Sequence, residues 1–322
     1  MAQLPLIPSA ADPWRLLTPT NIAARQAWPW SHSIQKHIDS CEPRPRESQN
    51  LLIASDYGGE HPTATHYIYC YLVVKGGTQS WLAAMDATRR RSLPNGRTMS
   101  YKRLDDSYRQ AALIPFLKAA ANLDGHLVAI AVDKRKKWLS TAPKTYEKFR
   151  KDLGLTAKWN RRSFESMMRK VQFSAVILPI WSQPYTNLFW ITDQDEFVAN
   201  DSRHDDALRT AARVNGMHAS HPLGILRFNT TGQDPEAIER EDLCAIPDLA
   251  SGMLSEVANR LPKGNNWEHG FDGTQVSDLP IKAEIIADWF WDDQMILRKT
   301  FVSIDVEGPR YAVRKIWMQS GS

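Results

Sequence analysis

After Gly125 the chain reads His-Leu-Val-Ala-Ile-Ala-Val up to Asp133, an apolar run with no polar alternation before its carboxyl end. A strand of this kind is buried on both faces, so the sheet that holds it needs helices above and below. That requirement points to an α/β fold. His66 to Val74 (HYIYCYLVV) is a second run of β-branched and aromatic residues, and Leu51–Asp56 and Asn187–Ile191 are shorter ones. The Gly58-Gly59 and Gly76-Gly77 turns predict that 51–56, 66–74 and a third strand over Thr78–Met85 form an antiparallel meander. Strands 126–132 and 187–192 are expected to add on the side of the first strand.

Helical segments alternate with these runs. Asp105–Asn122 has a one-sided apolar stripe, interrupted only by Pro115. Further helices are expected over 144–153 and 161–178, and over Ala245–Leu261 with Pro247 near its start, where a missing N–H costs little. Leu223–Phe228 reads as a short strand and Ile281–Leu297 as a helix. Thr300–Val306 and Arg310–Met318 read as a closing hairpin around Glu307-Gly308-Pro309. The expected organisation is a Pro-rich arm or linker over 1–50, an α/β core over 51–261, and a loop, helix and hairpin extension over 262–322. Trp14, Trp28, Trp30, Trp289, Trp291 and Trp317 lie in the two flanks, and their cost in water predicts docking on the core, on a protein partner or on a second copy.

Composition narrows the function classes. Forty Lys+Arg against 36 Asp+Glu leave a formal charge of +4, which permits contact with nucleic acid without requiring it. Cys41, Cys70 and Cys244 are scattered and include no CxxC, so neither a disulfide framework nor a thiolate zinc cage is expected. The pairs His61/His66 and His218/His221 lack the further ligands of a zinc site. The longest mainly apolar run, Phe173–Trp181, falls far short of the ~20 residues that span a bilayer, and no basic segment precedes an apolar core at the start. A cytoplasmic protein without membrane contact is the expectation. GxxxxGK[ST], GxSxG and HExxH do not occur, which speaks against P-loop, serine-hydrolase and zincin chemistry.

The acidic residues carry the remaining signal. Asp56, Asp133 and Asp193 each close a predicted strand, and Asp248 lies in the expected first turn of a helix. One such Asp is ordinarily a turn former or a cap. Several strand ends meeting at one sheet edge would instead bring carboxylates together, and hard divalent cations relieve that repulsion. Lys134-Arg135-Lys136-Lys137 directly follows Asp133 and is either a solvated loop or a grip on a phosphate backbone.

Five segments resemble a family of uncharacterised bacterial and phage-associated proteins with a ribonuclease H-like fold. They are Ser55-Asp56-Tyr57-Gly58-Gly59, Met99-Ser100-Tyr101-Lys102, Ala131-Val132-Asp133-Lys134, Ile191-Thr192-Asp193 and Pro247-Asp248-Leu249-Ala250-Ser251-Gly252. The resemblance covers 51–260. It implies a ribonuclease H-like mixed sheet flanked by helices and a metal-dependent nuclease using Mg²⁺ or Mn²⁺ on DNA or RNA, in a mobile-element or antiphage setting. By the same resemblance Asp56, Asp193 and Asp248 are metal ligands, with Asp133 as a further catalytic carboxylate. Two departures stand out. The family's Asp-Glu-Ser-Gly is here Asp-Tyr-Gly-Gly, so Glu60 beyond the turn is the nearest substitute ligand, and Ser100 stands where the family often has Glu. Lys102, Lys134 and Arg135 are the candidate substrate cations. Asp195 is an alternative ligand to Asp193, because residues two apart on an extended chain face one side. The competing reading is a catalytically weak nucleic-acid- or protein-binding scaffold on the same fold.

Overall fold

The computed structural model describes residues 30–39, 50–75, 78–138, 143–193, 195–219, 221–233, 238–260, 271–272, 278–316 and 318–319. The Gly76-Gly77 turn, Trp14, Trp28, Trp317, Cys41 and the 1–50 arm apart from 30–39 and Asn50 lie outside them. The described elements are α1 (Ser31–Asp39), β1 (Asn50–Gly58), β2 (His66–Lys75), α2 (Gln79–Ser92), α3 (Ser107–Ala120), β3 (Gly125–Asp133), α4 (Pro143–Asp152) and α5 (Arg161–Trp181). They continue as β4 (Asn187–Thr192), α6 (Asp201–His218), β5 (Leu226–Thr230), α7 (Ile238–Arg260), β6 (Phe271–Asp272), α8 (Ile281–Trp291), β7 (Arg298–Glu307), β8 (Arg310–Ile316) and β9 (Met318–Gln319).

The main sheet has seven strands in the order β5-β4-β1-β2-β3-β7-β8, and β6 pairs with β9 separately. β2 and β3 are antiparallel, with His66 opposite Asp133 and Val74 opposite Gly125. β3 and β7 are parallel, with Val132 level with Ile304, and β7 turns back antiparallel into β8. Every residue of β3 is buried, as its unbroken apolar run requires. This is a mixed sheet flanked by helices.

Several expectations need correction. Thr78–Met85 is no strand: it opens α2, in which Trp81, Met85, Thr88 and Ser92 are buried. Their spacing of four, three and four residues is a helical stripe, Ala83, Ala84 and Ala87 favour the helix, and Arg89–Arg91 suit its C-terminal dipole. The strand after β2 is therefore β3, which adds beside β2 and not beside β1, while β4 does add beside β1. Pro247 lies inside α7 because that helix starts at Ile238, seven residues before the expected Ala245. The helix expected over Ile281–Leu297 ends at Trp291, and Leu297 leads into β7.

Two compact units divide the chain. The first comprises the described parts of 1–51, 136–190 and 194–232, and the second those of 52–135, 191–193 and 233–322. In the first, α5 packs against α1 and α6, and every residue from Met167 to Trp181 is buried. Asp206, fully buried on α6, accepts hydrogen bonds from Thr156 N (3.0 Å), Ala157 N (2.8 Å) and Trp159 Nε1 (2.8 Å), which pins the segment leading into α5. In the second, α7 packs on β2 and β3, and α8 packs on α3 and α7. Among the described residues, no helix is long and apolar enough to cross a membrane.

Candidate carboxylate site

β1 is buried from Ile53 to Ser55, and from Asp56 to Gly58 it emerges part-exposed, so Asp56 stands where the strand leaves the core. α7 crosses there at close range. A Cβ on Gly58 would lie 2.9 Å from Ser251 O, and one on Gly252 would lie 2.2 Å from Tyr101 Cγ. Glycine at these two positions is what lets α7 approach both β1 and the 3₁₀ turn Tyr101–Arg103. Asp248, Ser251 and Gly252 are spaced three and four residues apart and share one helix face. Ser251 Oγ donates to Asp56 Oδ2 at 2.8 Å and to Asp248 O at 3.1 Å, and Tyr101 N donates to Asp248 Oδ2 at 2.8 Å. Three of the five resembling segments thus meet through Ser251 and Gly252.

Electrostatics extends this group. Burial pushes the Asp248 carboxyl above its ordinary range, against the Tyr101 N–H and the Ser100 hydroxyl that favour the anion. The charge of Asp193 adds to the rise, and the Lys102 ammonium opposes it. Burial also raises two neighbouring thiols, with Asp56 and Asp248 adding at Cys70, and Asp56 and Asp193 adding at Cys244. Both cysteines are therefore inert protonated thiols, and the carboxylates of Asp56, Asp193 and Asp248 act on the same small region. Asp248 lies in the third turn of α7 instead of the first, so the positive helix N-terminus does not offset its charge. Lys282, which the sequence did not single out, donates to Tyr101 O at 3.0 Å and sits 4.5 Å from the Tyr101 ring centroid.

The other candidates fall elsewhere. Asp195 pairs with Lys170 and accepts from Phe197 N at 2.9 Å, so it serves an ion pair and a turn cap, while Asp193 is the residue whose charge reaches Asp248. Asp133 accepts from Arg135 N (2.8 Å), Arg135 Nε (2.7 Å) and Val306 N (3.2 Å). Burial would raise its carboxyl, but the Arg135 bonds outweigh that and hold it below the usual range. Lys134 Nζ donates to His61 O at 2.5 Å and lies over the Tyr67 ring. Glu60 is exposed beyond the end of β1, and Lys102 is exposed on the 3₁₀ turn. Among the described residues, one group of three His, Cys, Asp or Glu side chains has ligand atoms all within 4.8 Å of one another and could hold a metal: His66, Asp133 and Asp305. Asp56, Asp193 and Asp248 do not form such a group. Neither His66 with Asp133 nor Asp305 at all was assembled from sequence, because the three come from strands whose register alone aligns them.

Comparison with protein-family models, with curated proteins and with solved structures returned no match.

Proposed function

We propose that this protein is a divalent-metal-dependent nuclease with a ribonuclease H-like core, hydrolysing phosphodiester bonds at the carboxylates Asp56, Asp193 and Asp248. The observation that carries this reading is the action of Asp193 on the part-buried Asp248, beside the Asp56 that Ser251 ties to the same helix. Anions gathered at one edge repel each other, and hard carboxylate oxygens suit Mg²⁺ or Mn²⁺, so the donor set fits such an ion. Asp56, Asp193 and Asp248 would hold it, with Glu60 at the rim, and when bound the ion supplies an activated water and neutralises charge on the phosphoryl group. The chain's own contribution is orientation. Tyr101 N fixes one Asp248 oxygen, Ser251 fixes one Asp56 oxygen, Lys282 holds Tyr101 O, and Lys102 brings positive charge to Asp248 and is the candidate phosphate contact. Lys134 and Arg135 already bind His61 O and Asp133, so neither is assigned a phosphate, and Asp133 is assigned no catalytic step.

That Asp56, Asp193 and Asp248 do not form a group with all ligand atoms within 4.8 Å of one another favours a second reading, a nucleic-acid- or protein-binding scaffold on the same fold. One experiment separates the two. Labelled single- and double-stranded DNA and RNA are incubated with the protein and Mg²⁺ or Mn²⁺, alongside Asp56→Asn and Asp248→Asn. The nuclease reading expects metal-dependent cleavage that both substitutions abolish. Retention of substrate without cleavage by wild type would replace it with the scaffold.

A further inference from the structure

We infer that His66, Asp133 and Asp305 form a second divalent-cation site, separate from the proposed nuclease centre, suited to a transition metal such as Zn²⁺. The three residues occupy one row across β2, β3 and β7: His66 faces Asp133 across the antiparallel ladder, and Asp305 follows the Val132–Ile304 pair by one residue, as Asp133 does. Asp133 and Asp305 are only 4% and 8% exposed, so two carboxylates lie nearly buried with their oxygens and the imidazole nitrogen mutually within 4.8 Å.

Both nitrogens of the His66 ring are held. Nδ1 lies 2.9 Å from the Thr65 hydroxyl, which also lies 3.1 Å from Ala258 O on α7. Nε2 lies 3.0 Å from Asp305 Oδ1. With Nδ1–H donating to the Thr65 hydroxyl, Nε2 would present a lone pair to a metal ion shared with Asp305 and Asp133. A metal fits the surroundings well. Its imidazole ligand would have its second nitrogen held by Thr65, and Ser303 Oγ holds the other Asp305 oxygen at 2.6 Å, the outer-shell pattern that orients metal ligands. One imidazole and two carboxylates suit Zn²⁺, with a water completing four ligands. Arg135 and Arg314 also pair with these carboxylates, so the ion would share them with two guanidinium groups. Such an ion would tie β7, whose Asp305 lies 172 residues after Asp133, to the β2–β3 pair.

The test uses the full chain, stripped with chelator and titrated calorimetrically with Zn²⁺. Wild type and Asp56→Asn should bind one ion at this site alike, while His66→Gln and Asp305→Asn should lose at least about a hundredfold in affinity, and Thr65→Val about tenfold. X-ray absorption of the Zn²⁺-loaded wild type should show imidazole scattering, which keeps the inference testable even if a variant fails to fold. No Zn²⁺ binding, binding untouched by His66→Gln, or a metal shell of oxygen alone would overturn it. Failure of Asp56→Asn to cleave nucleic acid bears only on the nuclease centre.

Discussion

Acidification should loosen the attachment of β7 to β3, and the size of the effect follows from His126. This imidazole is fully buried on β3, and its Nε2 contacts Thr300 Oγ1 on β7 at 2.7 Å. Burial, then the charges of Arg298 and Lys315, lower its pKa from 6.5 to about 3. The unfolded chain therefore binds a proton at pH values where the folded chain does not, so stability is full above pH 6.5 and falls as pH drops towards 3. Each unit of pH inside that window costs about 1.36 kcal/mol, so at pH 5.0, 1.5 units below the unfolded value, the loss is about 2 kcal/mol. That is a large share of the ~5–15 kcal/mol that ordinarily holds a domain folded. His126→Gln keeps a polar tip for Thr300 but cannot take up the proton. Urea unfolding at pH 7.5 and pH 5.0 should show wild type losing about 2 kcal/mol more than His126→Gln between the two conditions, the other histidines cancelling in the difference. Equal losses in the two proteins would refute the assignment of a neutral, proton-excluding His126.

Two further outcomes concern α7. Arg89 forms a two-pronged ion pair with Asp242, which is 1% exposed and whose carboxyl burial pushes up to about 6 despite that partner. Arg89→Met should destabilise the protein by about 3–5 kcal/mol at pH 8, and by less at pH 5, where Asp242 takes a proton more readily folded than unfolded; denaturant midpoints at the two pH values check this. Gly252→Ala gains about 1 kcal/mol of helix propensity, yet its Cβ would meet the Tyr101 ring at 2.2 Å, where overpacking costs about 1–3 kcal/mol. The expected net is a modest loss of stability with a larger fall in the proposed metal-dependent cleavage, because the displaced ring carries the Tyr101 N–H away from Asp248; a gain in stability would show that the ring retreats freely.

Much of this arrangement is legible locally. The runs at 66–74 and 126–132 name their strands because β-branched and aromatic residue type and unbroken apolar character are properties of a few neighbouring residues, and α3, α4, α5 and the final hairpin follow from equally local patterns. The Asp248-Ser251-Gly252 spacing likewise predicts one helix face, and that face is the one that meets Asp56 and Tyr101. Where local signals competed, the reading failed: the apolar start of α2 resembles a strand over eight residues, and only the longer stripe from Trp81 to Ser92 reveals the helix. Pro247 suggested a helix start, although packing against β2 and β3 carries α7 through it.

The sequence by itself determined the α/β class, the buried strands and the carboxylates to consider, since each depends on side-chain chemistry and short-range period. Only the tertiary structure decided which carboxylates keep company. Asp133 and Asp193 look alike as strand-closing aspartates, but the antiparallel register of β2 with β3 and the parallel register of β3 with β7 give Asp133 to His66 and Asp305, while Asp193 acts on Asp248. His66 and Asp305 are 239 residues apart, and no pattern along the chain records that separation. A strand's register is set by cooperative pairing with partners anywhere in the chain, so the chemistry of a row across the sheet exists only once the sheet has formed.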